Sequence, residues 1–89
     1  MWLVKQSDEA AYYIDNNLPH IVELMLAIGR LMFTNDGKPT EGVLEPLEAG
    51  RYRWLVAGHE VILKLETDRT LIEFIHLQDD DDLSQLFQP

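Results

Sequence analysis

The chain has 89 residues, no cysteine, and 7 basic against 16 acidic side chains, a formal net charge of −9. That length holds one domain and excludes a second core, and a chain of this size buries only about 60–65% of its unfolded surface. The missing thiols exclude disulfides, zinc–thiolate sites and cysteine nucleophiles, and the acidic balance disfavours nucleic-acid phosphates unless cations cluster locally.

Trp2 to Lys5 is apolar and aromatic without a breaker and predicts a short strand. Ser7 follows as an N-cap, with Asp8 and Glu9 where negative charge suits the positive end of a helix. The helix expected over Asp8–Asp15 places Ala10, Ile14 and Leu18 on one stripe, and Asn16-Asn17 ends it. Pro19 restarts the chain in a first helical turn. From His20 to Phe33 the spacing is helical: Ile21, Met25, Ile28 and Met32 recur at one face, widened by Leu24 and Leu31. Gly29 inside this helix suggests the close approach of another backbone.

Asn35-Asp36-Gly37-Lys38-Pro39 is a turn cluster, and residues 34–50 predict a loop with one helical turn around Val43–Leu47. Three strands are then expected. Arg51–Val56 alternates, with Tyr52, Trp54 and Val56 on one face and Arg51, Arg53 and Leu55 on the other. Ala57-Gly58 has the spacing of a two-residue hairpin turn. Glu60–Glu66 alternates with Val61, Leu63 and Leu65 inward, and Thr67-Asp68-Arg69 connects it to a last strand over Thr70–Leu77. The sequence divides into an α+β domain over 1–78 and an acidic tail over 79–89. In that domain an N-terminal strand and a two-helix hairpin pack on one face of a small antiparallel sheet.

The ordered set resembles the RelE/ParE toxin superfamily over about residues 2–77. The resemblance rests on an opening strand ending in Ser7 and on two helices hinged at Asn16-Asn17-Leu18-Pro19. It rests also on the run from Leu44 to Trp54 that enters the sheet through Gly50-Arg51-Tyr52-Arg53, and on the hairpin Val56–Leu63 and the strand Leu71–Leu77. It implies the fold β-α-α-β-β-β, a cytoplasmic prokaryotic toxin of a toxin–antitoxin pair, and an antitoxin partner. Some members cleave mRNA on the ribosome and others poison DNA gyrase.

Metal-free RNA cleavage needs a base, cations around the phosphorane and an acid. The resemblance places Arg51 and Arg53 at the second-strand pair of the ribonuclease branch, with His76 as the titrating group near the end of the last strand. The cation expected to open the third strand is replaced by Glu60, the last strand ends His76-Leu77-Gln78-Asp79-Asp80 where basic residues are expected, and the run Asp79–Asp82 adds repulsion at the same mouth. At about 4–5 Å and an effective dielectric near 20, each exchange of cation for carboxylate moves the energy of a phosphate by several kcal/mol. Ribosome-dependent cleavage is therefore expected to be weak or absent, and action through protein–protein contact is expected instead. The alternative is a non-catalytic interaction module, dimeric on the same scaffold. Arg51, Arg53 and Glu60 on the sheet, and Leu83, Leu86 and Phe87 on the tail, are the expected binding residues. Arg51 and Arg53 also read as ordinary strand arginines paired with carboxylates across the hairpin, His59 as exposed, and Tyr52 and Trp54 as core. No cofactor, nucleic acid or membrane is expected. Asp79–Asp82 lacks the glycine and distal glutamate of a calcium loop, and no metal is expected there.

Overall fold

The computed structural model describes residues 1–78. Its elements are β1 (Leu3–Gln6), α1 (Asp8–Asn17), α2 (Val22–Leu31), β2 (Val43–Pro46), β3 (Arg51–Val56), β4 (His59–Leu65) and β5 (Arg69–Leu77). The strands form one sheet in the order β1-β5-β4-β3-β2. The three pairings from β2 to β5 are antiparallel, whereas β1 runs parallel to β5, with Leu3 opposite Arg69. The α+β class stands, and the sheet is mixed rather than wholly antiparallel. Parallel neighbours need a long crossover, and here the two helices and three strands lie between them in sequence.

Ser7 works at two places at once. Its Oγ accepts from the N–H of Ala10 (3.1 Å), capping α1, and donates to the carbonyl of Glu73 (2.6 Å). One hydroxyl thus starts the helix and ties its N-terminus to β5. Inside α1 and α2, Ala10, Ile14, Leu24, Ile28 and Leu31 are buried, as is Ile21 at the N-cap of α2. They pack in one core cluster with Trp54, Val56, Val61, Leu63, Ile72 and Ile75 from one face of the sheet. Trp54 is fully buried and donates its indole N–H to the carbonyl of Glu41 (2.9 Å). The hairpin turn at Ala57-Gly58 is present, both residues having positive φ (52° and 73°), as a tight β3–β4 connection requires.

The structure corrects several local expectations. Val43–Pro46 is a strand, not a helical turn. It pairs with β3, placing Leu44 opposite Trp54, and its position at the sheet edge tolerates Pro46. Helix α2 begins at Val22 rather than His20, and α1 runs on to Asn17. Leu18 and Met32 lie at the C-caps of the two helices and are exposed. His59 is buried, not exposed. Its Nδ1–H donates to Ala57 O (2.8 Å), and in the neutral ring Nε2 accepts from Tyr13 O–H (3.0 Å), linking the hairpin turn to α1.

Among the described residues nothing lies within 4 Å of where a Gly29 Cβ would be, and no backbone of theirs approaches it. Gly29→Ala is therefore expected to raise stability by up to about 1 kcal/mol, because only the glycine's helix penalty is removed. A rise in the urea midpoint with unchanged slope checks this, and a fall contradicts it. Gly37 is the opposite case. It has φ +76°, and a Cβ there would come within 2.2 Å of the Trp2 indole and the Thr70 hydroxyl. Those two groups are themselves bonded, Trp2 Nε1–H to Thr70 Oγ1 (2.8 Å), and Thr70 donates on to Gly37 O (3.0 Å).

Outside the sheet, Arg30 at the end of α2 holds the loop before β2 through two bonds to Glu41 (2.6 and 2.7 Å). Donation by Arg30 holds the Glu41 carboxyl below its ordinary value of 4.5, and the Arg30 charge adds to this. Between the two values the folded state binds fewer protons than the unfolded chain. The contribution is thus complete above pH about 4.5 and fades as pH falls through the lowered folded value. The gap in urea midpoint between wild type and Glu41→Gln should narrow from pH 7 to pH 3; a constant gap contradicts this.

Candidate functional site

The helices cover one face of the sheet and leave the other open. Strand alternation and register decide what stands on the open face. Three cross-strand rows follow from the pairing: Leu55–Glu60–His76, then Arg53–Ile62–Phe74, then Arg51–Lys64–Leu71. Lys5 extends the third row from β1, and Glu45 extends the second from β2. Glu73 sits at a register irregularity of β5 between the Leu63–Ile72 and Ile62–Phe74 pairs. That irregularity lets its carboxylate reach the open face.

All three catalytic candidates from the sequence stand on this face, and each meets a carboxylate. Arg53 Nε donates to Glu60 Oε2, and the other carboxylate oxygen, Oε1, receives His76 Nε2. Glu60 therefore bridges the guanidinium and the imidazole. Glu45 lies 3.8 Å from Arg53 Nη1 on the other side. Arg51 makes a two-pronged contact with Glu73, Nε to Oε1 at 2.7 Å and Nη2 to Oε2 at 3.3 Å. Hydrogen bonding to Glu73, reinforced by its charge, raises the Arg51 pKa, so the group stays firmly charged. The side chain of Glu60 is only 12% exposed, against 37% for Arg53 and 48% for His76. The carboxylate is thus the inner group, and the guanidinium and the imidazole rim it. Lys64 makes no ion pair among the described residues.

The two arginines do not converge on one point. Arg53, Glu60 and His76 form one cluster, and Arg51 with Glu73 forms another, two positions along the same strand. Three members were not singled out from sequence: Glu45, Glu73 and Lys64. Glu45 lies in the segment read as a loop, and Glu73 gains its position only from a break in strand register. The remaining binding candidates, Leu83, Leu86 and Phe87, lie outside the described residues, as does Asp79–Asp82. Among the described residues no group of His, Asp and Glu is placed to hold a metal ion, and no helix is long and apolar enough to cross a membrane.

The fold, a two-helix hairpin on one face of a five-stranded sheet, is similar to that of solved structures that include toxins of toxin–antitoxin complexes. Three solved structures carry the comparison. The RelB–RelE antitoxin–toxin complex from Methanococcus jannaschii matches with a TM-score of 0.67 and 12% identity, over 93% of this chain and 98% of that one. YafQ from E. coli strain BL21(DE3) matches with a TM-score of 0.66 and 15% identity, over 99% of this chain and 100% of that one. The toxin–antitoxin complex RelBE2 from Mycobacterium tuberculosis matches with a TM-score of 0.61 and 13% identity, over 86% and 91%. No family model matches the chain, and no curated protein matches it.

Proposed function

We propose that this chain is a RelE/ParE-like toxin or toxin homologue of a toxin–antitoxin pair, acting through protein contact and not through cleavage of mRNA. The observation that carries this reading is the placement of Glu60 between Arg53 and His76. A phosphodiester entering there meets a guanidinium and an imidazole already engaged by a carboxylate, and the inner group of the cluster is that carboxylate. Arg51 is engaged in the same way by Glu73. Two of the matched structures are complexes of a toxin with its antitoxin, which supports an antitoxin partner here. A partner for this chain needs basic residues in its covering segment, since the net charge is −9.

Growth on induced expression, with and without the adjacent gene, tests the proposal. Arrest that the adjacent gene relieves, with cellular mRNA left intact, supports it. Unchanged growth in both cases removes toxin action and leaves an interaction module on the same scaffold.

A second reading rests on the same three side chains. A carboxylate can take a proton from a 2′-hydroxyl, an imidazole can protonate a leaving oxygen, and a guanidinium can stabilise the phosphorane. The contact of Glu60 with both Arg53 and His76 assembles that set in one place. The two readings give opposite expectations for Glu60, which makes the residue the point of discrimination.

A further inference from the structure

Helix α2 is apolar nearly all round. Glu23 and Arg30 are the only polar side chains in Val22–Leu31. A helix with apolar residues on every side is ordinarily covered on every side. Leu24, Ala27, Ile28 and Leu31 belong to the core cluster. At about 100° per residue, the direction opposite them is taken by Val22, Leu26 and Gly29. Met32 keeps right-handed helical angles and Phe33 N–H donates to Arg30 O (3.1 Å), so Phe33 carries the same stripe on past the end of α2. Val22, Leu26 and Phe33 are 51%, 58% and 78% exposed among the described residues. Gly29 is a notch between Leu26 and Phe33, with open space where a Cβ would lie.

The stripe Val22, Leu26, Gly29, Phe33 has steps of four, three and four residues and so reads the same from either end. We infer that it is covered by the same stripe of a second copy, the two α2 helices lying antiparallel about a two-fold axis level with the Ala27–Ile28 bond. That axis sets Leu26 of each copy into the Gly29 notch of the other, and Val22 against Phe33. The flanks agree with it. Glu23 and Arg30 lie on one side of the stripe, Met25 and Met32 on the other. In the pair, Glu23 falls about two residues, or ~3 Å along the axis, from Arg30 of the second copy, and Met25 falls as close to Met32. Arg30 uses Nε and Nη2 on Glu41, and a guanidinium has a further nitrogen for this contact. Charge favours a copy over a basic partner. One acid and one base leave α2 neutral, whereas α1 carries Asp8, Glu9 and Asp15 and no base. The net charge of −9 on each copy acts from further away and is screened beyond about 8 Å at physiological salt. Specific interfaces begin near about 1,000 Å² in total, and three large side chains per copy with a methionine flank make a small one, so the dimer is weak and exchanging. The pair also gives a reason for glycine in mid-helix, where the single chain would be steadier with alanine. This inference is independent of the toxin reading.

Sedimentation equilibrium of the full chain from about 1 to about 500 μM tests it. Wild type is expected to pass from monomer to dimer within that range. Gly29→Leu fills the notch yet adds apolar surface. Two-fold packing therefore predicts a dimerisation constant weakened at least about tenfold, whereas unspecific apolar association predicts a tighter one. Leu26→Glu is expected to weaken it by at least about tenfold as well. Phe74→Glu, half-exposed on the opposite face of the sheet, is expected to leave it unchanged. Circular dichroism melting below the dimerisation range shows that each variant is folded. Wild type that stays monomeric throughout, whether or not the product of the adjacent gene binds the stripe, overturns the inference. An equal or tighter dimer in folded Gly29→Leu overturns it, as does a Phe74→Glu effect as large as that of Leu26→Glu.

Discussion

Trp54→Ala is expected to lower the melting temperature by at least roughly 12 °C. The side chain is fully buried on β3, which lies between β4 and β2, and belongs to the one core cluster that holds the helices' buried apolar residues. Truncating a buried Trp costs about 3–5 kcal/mol, and for a domain of this size each kcal/mol moves the midpoint by roughly 4–8 °C. Total stability near 0.05–0.15 kcal/mol per residue leaves about 4–13 kcal/mol, so much of it disappears. The indole N–H adds a separable part, because it holds Glu41 O and with it the entry to β2. Gly42, which follows, has φ +71° and passes so close to Leu55 O that a Cβ would lie 2.3 Å away. Trp54→Phe retains most of the volume but loses the N–H donor and a smaller part of the packing, so about 1–3 kcal/mol is expected. Thermal denaturation of both variants separates the two parts. A fall below about 5 °C for Trp54→Ala would show that the core does not depend on this residue.

Glu60→Gln is expected to strengthen binding of a short single-stranded RNA by about tenfold or more at low salt. The substitution keeps the shape and one acceptor oxygen but removes the inner negative charge. Arg53 and His76 are then left with an amide between them. At about 4–5 Å and an effective dielectric near 20 the lost repulsion on a phosphate is roughly 3–4 kcal/mol before salt screening. Partial exposure of Arg53 and His76 reduces that figure, which is why tenfold rather than several-hundredfold is expected. Titration of labelled RNA against wild type and variant in about 50 mM salt reads the effect. Weaker binding by Glu60→Gln would contradict the assignment of this carboxylate as the repelling group.

Much of this was legible in the residues because local and tertiary preferences agree. Ser7 caps α1, Ala57-Gly58 turns the central hairpin, and the inward alternation of β3 and β4 survives in the buried Trp54, Val56, Val61 and Leu63. The misread places are those where a distant contact decides. Val43–Pro46 has four residues, a proline and a preceding glycine, and becomes a strand only because β3 supplies the pairing. His59 looks like a turn neighbour, yet Tyr13, 46 residues away, draws its ring inward. The site was legible in part. Alternation puts Arg51 and Arg53 on one face, and hairpin register puts Glu60 near them. The meeting of His76 with Glu60 needs the β4–β5 register, and the capture of Arg51 by Glu73 needs the irregularity within it. Neither is encoded in spacing along one strand.

The measurement that tests the central claim most directly is single-turnover cleavage of mRNA on ribosomes programmed with a defined message, read at nucleotide resolution. The account predicts that wild-type protein leaves the message intact under conditions that arrest growth on expression. Cleavage by wild type that disappears in Arg53→Ala and in Glu60→Gln would contradict it, and would make the carboxylate between Arg53 and His76 a working base instead of a barrier.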